Sequence, residues 1–211
     1  MQPRSNSAES PLRTRTSAKQ HIQDIALQLF TESGFDSTSV NDVARAASVS
    51  PRTVYRYFGT KEQLVVWDPM DDRLATNLQA LLAEHSDAEH FLAAVLTGYA
   101  ALARRTLSPA DADRLAIRMR LVREAPELRT GEVQQMDRLA QALVETLASS
   151  PIAAGHTRLQ LRLAAYQLAW GLLALTDEWA ESGFSGKFQD LLDASLPMII
   201  RSVGASLTAD G

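Results

Sequence analysis

The chain has 211 residues, 45% of them hydrophobic, no cysteine and a formal net charge of −4. That apolar content supplies a sizeable core, and proline plus glycine at 18 residues is too little for disorder over most of the length. Disulfides and thiolate metal sites are excluded, no uncharged apolar run of about 18 residues offers a membrane span, and the polar first 16 residues lack the apolar segment of a secretory signal, so a soluble cytoplasmic protein is expected. The acidity conceals an asymmetry. Residues 1–61 carry eight Lys/Arg and five Asp/Glu, whereas residues 62–211 carry 13 and 20. A basic N-terminal unit facing a polyanion is the simplest function for such segregation.

Residues 1–16 are rich in Ser, Pro and Arg without periodicity and read as a flexible arm, with Arg4, Arg13 and Arg15 adding positive charge. A helix is expected over 17–33, with Ile22, Ile25, Ala26, Leu29 and Phe30 on one stripe. Gly34 supplies a left-handed stop, and Phe35 can fold back on the last turn. Ser39 and Asp42 form a capping-box pattern opening a short helix to about Ala47. Ser50 then caps a third helix with Pro51 at its first position, ending near Gly59. Thr60 and Gln63 repeat the capping-box pattern for a fourth, which Asp68-Pro69 interrupts before a restart to about Ala83. Further helices are expected over 87–107, 109–124, 127–149, 155–182 and 187–207. No segment alternates with period two, so the fold class is all-α. It comprises a compact N-terminal three-helix module at 17–62 and a larger helical remainder at 63–211.

The segment SVSPRTVYRYFGTK, Ser48 to Lys61, holds two arginines, a lysine and two tyrosines but no acid. Two short helices joined by a tight turn, the second basic and aromatic, form the arrangement that reads duplex DNA. Val54 and Phe58 point inward with Val40, Val43, Ala44 and Val49, and Ala44 and Ala47 permit close helix approach. The opposite face presents Arg52, Thr53, Arg56 and Tyr57 to a major groove about 12 Å wide. Tyr55, Tyr57 and Lys61 suit the phosphate rim, although packing of Tyr55 or Tyr57 against the first helix is a competing reading. Ser39, Ser50 and Thr60 stand at helix N-termini, which favour phosphate.

With these residues in place, Ala26 to Val66 resembles the DNA-binding domain of the TetR family of bacterial transcription regulators. The stretch SPRTVYRYF with Trp67 and Asp68 looks most like actinobacterial members of the mycofactocin-regulator kind. The resemblance implies a homodimer on a palindromic operator, usually a repressor, with a helix-turn-helix DNA-binding domain at 17–62 and a C-terminal helical ligand-binding and dimerisation domain at 63–211 that binds a small ligand and releases DNA. By motif position it implies base contacts from Arg52, Thr53 and Tyr57 and phosphate contacts from Ser39, Tyr55 and Lys61. Two departures stand out. Ser48 occupies a turn position where glycine is frequent, and Arg52 replaces another frequent glycine, which puts in question the bases that are read.

In the C-terminal part, Trp67, Tyr99, Met119, Met136, Tyr166 and Trp170 are candidates for a ligand pocket, with plain core as the competing reading. Arg114 to Arg129 holds five arginines, either a solvated face or an opening that attracts an anionic, acyl-CoA-like effector. The last two helices are apolar nearly all round, so a partner subunit is expected to cover 155–182 and 187–207 in a four-helix dimer interface. An enzyme has no motif to stand on: His21, His85, His90 and His156 are scattered, and neither a phosphate cradle nor a nucleophile elbow occurs. No cofactor and no metal are expected. The reading is a ligand-responsive transcription regulator, with a small helical enzyme or a ligand-binding protein without DNA binding as the alternative.

Overall fold

Apolar residues recurring every three or four positions make the chain helical: the computed structural model describes residues 11–69, 81–106 and 109–208 and has no strand among them. The chain divides into two compact units, Met1–Pro69 and Met70–Gly211.

In the N-terminal unit, α1 runs Pro11–Ser33, starting six residues before the expected position. Proline is suited to a first helical position, and nothing from Leu12 to Ala18 breaks a helix, so 11–16 belong to α1 and not to an arm. Residues 1–10, with Arg4, lie outside the described residues. The buried stripe of α1 is Ile22, Gln23, Ala26, Leu27 and Phe30. Ile25 and Leu29, expected on it, are only half-buried because Gln23 and Leu27 take the inward places. Gly34, at φ +86°, ends the helix by donating to the Phe30 carbonyl (2.9 Å), and the Phe35 ring meets Phe30 edge-on at 5.0 Å.

Two short helices follow, α2 (Val40–Ala46) and α3 (Pro51–Phe58). The next, α4 (Gln63–Val66), is a single turn. Thr60 Oγ1 accepts from the Gln63 amide at 3.3 Å, and the chain leaves helical geometry at Trp67, just ahead of Asp68-Pro69. This turn is tied back to α1. Gln23, fully buried, donates from Nε2 to the carbonyls of Leu64 (3.2 Å) and Trp67 (2.7 Å). The Lys19 ammonium sits 4.1 Å from the centre of the Trp67 ring and 5.6 Å from that of Phe58, whose ring meets Trp67 edge-on at 5.8 Å.

The C-terminal unit contains α5 (Ala88–Thr106), α6 (Pro109–Glu124), α7 (Pro126–Ala148), α8 (Arg158–Glu181) and α9 (Phe188–Thr208). α8 starts three residues late because Pro151–Ala153 forms a 3₁₀ turn and Gly155, at φ +87°, redirects the chain to a capping box of Thr157 and Gln160. The restart expected to reach Ala83 falls largely on 70–80, outside the described residues; 81–84 are helical. α8 packs on α7 and α9, and α5 on α9. Their core holds Phe91, Leu92, Leu96, Leu143, Leu147, Leu168 and Leu192, all fully buried. Charge is also buried here. Arg129 grips both oxygens of Asp177 (2.8 Å each) and bonds Glu132 (2.9 Å), and Arg118 and Glu132 are themselves buried. Burial pushes the Glu132 carboxyl up, with Arg129 opposing it.

The tie from Gln23 generates a prediction. Gln23→Ala in the full chain leaves two carbonyls without this donor and should lower stability by about 1–3 kcal/mol, read in urea unfolding. An unchanged midpoint would show that the tie contributes nothing.

Candidate nucleic-acid interface

The α2 end of the site is built by local hydrogen bonds. Ser39 Oγ accepts from the Asp42 amide (3.2 Å), the Asp42 carboxylate accepts from the Ser39 amide (3.0 Å), and the Ser39 hydroxyl donates to the same carboxylate. Arg45 pairs with the other carboxylate oxygen. The Ser39 hydroxyl, expected on phosphate, is thus engaged in the cap. Bonds from the Ser39 side chain, then its amide, then Arg45 hold the Asp42 carboxyl below the usual carboxylate range.

The turn closes with the Val49 amide donating to the Ala44 carbonyl (2.9 Å) and with Ser48 at φ +55°, the left-handed conformation for which glycine is better suited. Ser50 caps α3 by accepting from the Thr53 amide at 3.1 Å, and its hydroxyl is hydrogen-bonded to Thr53 Oγ1 at 2.9 Å. Val54 and Phe58 are buried, as are Val40, Val43, Ala44 and Ala47. With that side inward, Arg52, Tyr55 and Arg56 are exposed, and Thr53 and Tyr57 are half-buried. Tyr55 is 52% exposed, which rules out burial against α1. The Arg56 guanidinium lies 5.0 Å from the centre of the Tyr57 ring, an arrangement that braces a flexible cation. α3 ends at Gly59, φ +77°.

Lys61 stands apart from this face. Its ammonium donates to the Phe35 carbonyl (2.5 Å) and lies 4.1 Å and 5.8 Å from the centres of the Phe35 and Phe30 rings. It clamps the α1–α2 connection instead of standing free at the rim. Residues absent from the sequence reading act similarly: Lys19 and Gln23 hold the α4 turn under the site. Their signal was a polar pair four apart, in register with Ala26 and Leu27 on an apolar stripe.

The residues expected to line a pocket have diverse surroundings. Trp67 belongs to the core of the N-terminal unit, against Phe58 and Lys19. In the C-terminal unit Met119 is buried, Tyr99 and Met136 are half-buried, and Trp170 is 37% exposed. The Tyr166 hydroxyl donates to Asp137 (2.7 Å), and this bond raises the phenol above its ordinary pKa. The arginine run is not one solvated face either: Arg118 is buried, Arg114 pairs with Asp111, Arg120 lies 4.8 Å from the centre of the Phe184 ring, and Arg129 holds Asp177. His90 Nδ1 contacts Asp87 at 2.8 Å, and among the described residues no group of three metal-ligating side chains converges.

Residues 22–66 match the family model for bacterial regulatory proteins of the tetR family. The mycofactocin biosynthesis transcriptional regulator MftR of Mycobacterium tuberculosis is 37% identical over 116 residues, 55% of this chain and 57% of that protein. The chain therefore aligns with little more than half the length of this relative. Among solved structures, NalD of Pseudomonas aeruginosa, the secondary repressor of the MexAB-OprM efflux pump, shares the fold at a TM-score of 0.52 and 22% identity, over 92% of this chain and 99% of that one. FadR of Thermus thermophilus, a TetR-family repressor in complex with lauroyl-CoA, does so at 0.51 and 20%, over 92% and 97%.

The α2 cap carries a pH signature. Because the folded-state pKa of Asp42 is depressed, its contribution is present above the ordinary carboxylate pKa and lost as pH falls through the lower folded value. Carboxyl NMR should place the Asp42 midpoint below that of an unstructured aspartate, and Ser39→Ala should move it upward. A midpoint at the unstructured value would mean the cap is open in solution.

Proposed function

We propose that this chain, whose residues 22–66 match the model of the tetR family of bacterial regulatory proteins, is a ligand-responsive transcription regulator that binds a palindromic operator as a homodimer and represses. The single observation that carries the reading is the outer face of α3: Arg52 and Arg56 exposed beside Thr53, Tyr55 and Tyr57, on a segment without an acid. A carboxylate there would repel the phosphates that dominate affinity. Arg52, Thr53, Arg56 and Tyr57 read base edges in this proposal, and Tyr55 and the Ser50 cap meet phosphates. Ser39 and Lys61 act mainly by holding α2 and the α1–α2 connection in place. The alternatives, a small enzyme or a ligand-binding protein without DNA binding, give that face no task.

The homodimer is supported by apolar surface on α8 and α9. Leu159 (64% exposed), Leu163 (46%) and Trp170 (37%) recur at helical spacing on α8, and Met198 (60%) is exposed on α9. A second copy of the same stripe would cover these residues and place two α3 helices in successive major grooves, about 34–36 Å apart. The effector in this proposal is an anionic, acyl-CoA-like molecule. The fold shared with the lauroyl-CoA complex supports it, and the engaged arginines Arg114 and Arg129 count against a free anion trap. Pocket roles for Tyr99, Met119, Met136 and Tyr166 belong to this same proposal. Ligand and DNA would then oppose each other by about 1–3 kcal/mol of reciprocal coupling.

Three outcomes test the proposal. Selection from a random duplex pool should enrich a palindrome, and Arg56→Ala should weaken that operator by about 1–3 kcal/mol and relax one base position; an equal loss on all sequences would assign Arg56 to phosphate. Sedimentation at micromolar concentration should give a dimer that Leu163→Asp converts to monomers, and a monomeric parent chain would remove the two-helix interface. Calorimetry with lauroyl-CoA should give saturable binding that weakens operator affinity; no heat from the pure protein ends the acyl-CoA assignment.

A further inference from the structure

We infer that Thr53 reads a thymine through methyl-to-methyl contact, and that its hydroxyl is withheld from the DNA. The inference rests on the DNA-reading role of α3 proposed above and adds the chemical group that one position recognises. Ser50 Oγ accepts from the Thr53 amide at 3.1 Å, and the same oxygen is hydrogen-bonded to Thr53 Oγ1 at 2.9 Å. Whichever hydroxyl donates, the Thr53 oxygen is drawn back toward the N-terminus of α3. Threonine is branched at Cβ and stiff about χ1, so fixing the oxygen also fixes the methyl. Turning the hydroxyl to a base edge or a phosphate would break the 2.9 Å bond and disturb the cap that starts the helix. Leaving it in place keeps the cap and, with the Thr53 proton given to Ser50 Oγ, makes the methyl the group left to offer.

The surroundings suit that division of labour. Thr53 is half-buried, one turn ahead of Tyr57, and is flanked by the exposed cations Arg52 and Arg56. Those supply charge and hydrogen bonds, and no further polar donor is needed between them. In the major groove thymine alone carries a methyl, at C5 beside its O4 acceptor, and an apolar contact with that methyl separates thymine from cytosine. Burying one methyl-sized group changes affinity by about fourfold.

The test uses the full chain and the operator enriched from random duplexes. Each thymine is replaced in turn by deoxyuridine, which removes only the methyl. At one thymine per half-site, affinity should fall about fourfold. Thr53→Val, which keeps a methyl in the same branch, should retain that penalty, and Thr53→Ser, which keeps only the hydroxyl, should abolish it; circular dichroism checks that both variants remain helical. The inference is overturned if the operator binds but every uracil is neutral, if Thr53→Ser keeps the penalty, or if Thr53→Val weakens all duplexes alike, which would make the hydroxyl a phosphate ligand. Failure of the parent chain to bind any duplex would instead remove the role of α3, and this inference with it.

Discussion

The outer face of α3 depends on the burial of two side chains four residues apart, Val54 and Phe58. Side chains of this size gain about 1.5–3 kcal/mol each when removed from water, far more than any exposed charge on the same helix could contribute to folding. Once they face the α2 residues Val40, Val43 and Ala44, helical geometry alone turns Arg52, Tyr55 and Arg56 outward. Ser50 and Pro51 fix where the helix starts, and Gly59 fixes where it stops. The cationic face is thus held in register by apolar packing on its far side. It needs no internal counter-ion, and none is supplied within Ser48–Lys61.

Four cations of this unit divide into two kinds. Arg52 and Arg56 are exposed, and Arg56 is braced by Tyr57. Lys19 and Lys61 are turned inward, onto the rings of Trp67 and Phe35 respectively, and Lys61 also onto a backbone carbonyl. A lysine stem can lie along apolar surface while its ammonium finds aromatic faces and carbonyls, so these two act as ties between elements. The positive balance of the first 61 residues therefore overstates the charge available to a polyanion. What matters is the smaller set on one helix face.

Short-range features were legible because their causes are short-range. The boxes of Ser39 with Asp42 and the cap of Ser50 are settled within four residues, and the structure has them as read. The left-handed Ser48 stands where the family resemblance implied a glycine. The helix boundaries at Pro109 and Pro126 followed from the fixed geometry of proline. Features joining distant segments were not legible. Nothing local announces that Gln23 bonds carbonyls more than 40 residues away, that Trp67 packs on Phe58, or that Arg118 is buried. Hydrophobic periodicity shows that a helix has an inward face without saying what that face meets. For the same reason α8 read as apolar all round, while Trp170 and Leu163 remain exposed in a single chain.

The account stands or falls on whether the cations of α3 meet phosphates and bases, and the salt dependence of duplex binding tests this most directly. For the full chain on its selected operator, log K should fall linearly with log salt with a slope of about −0.9 per phosphate neutralised, over several phosphates. Replacing Arg52 or Arg56 with alanine should either flatten that slope or relax base preference. Binding that ignores salt, or no duplex binding at low ionic strength, would contradict the account.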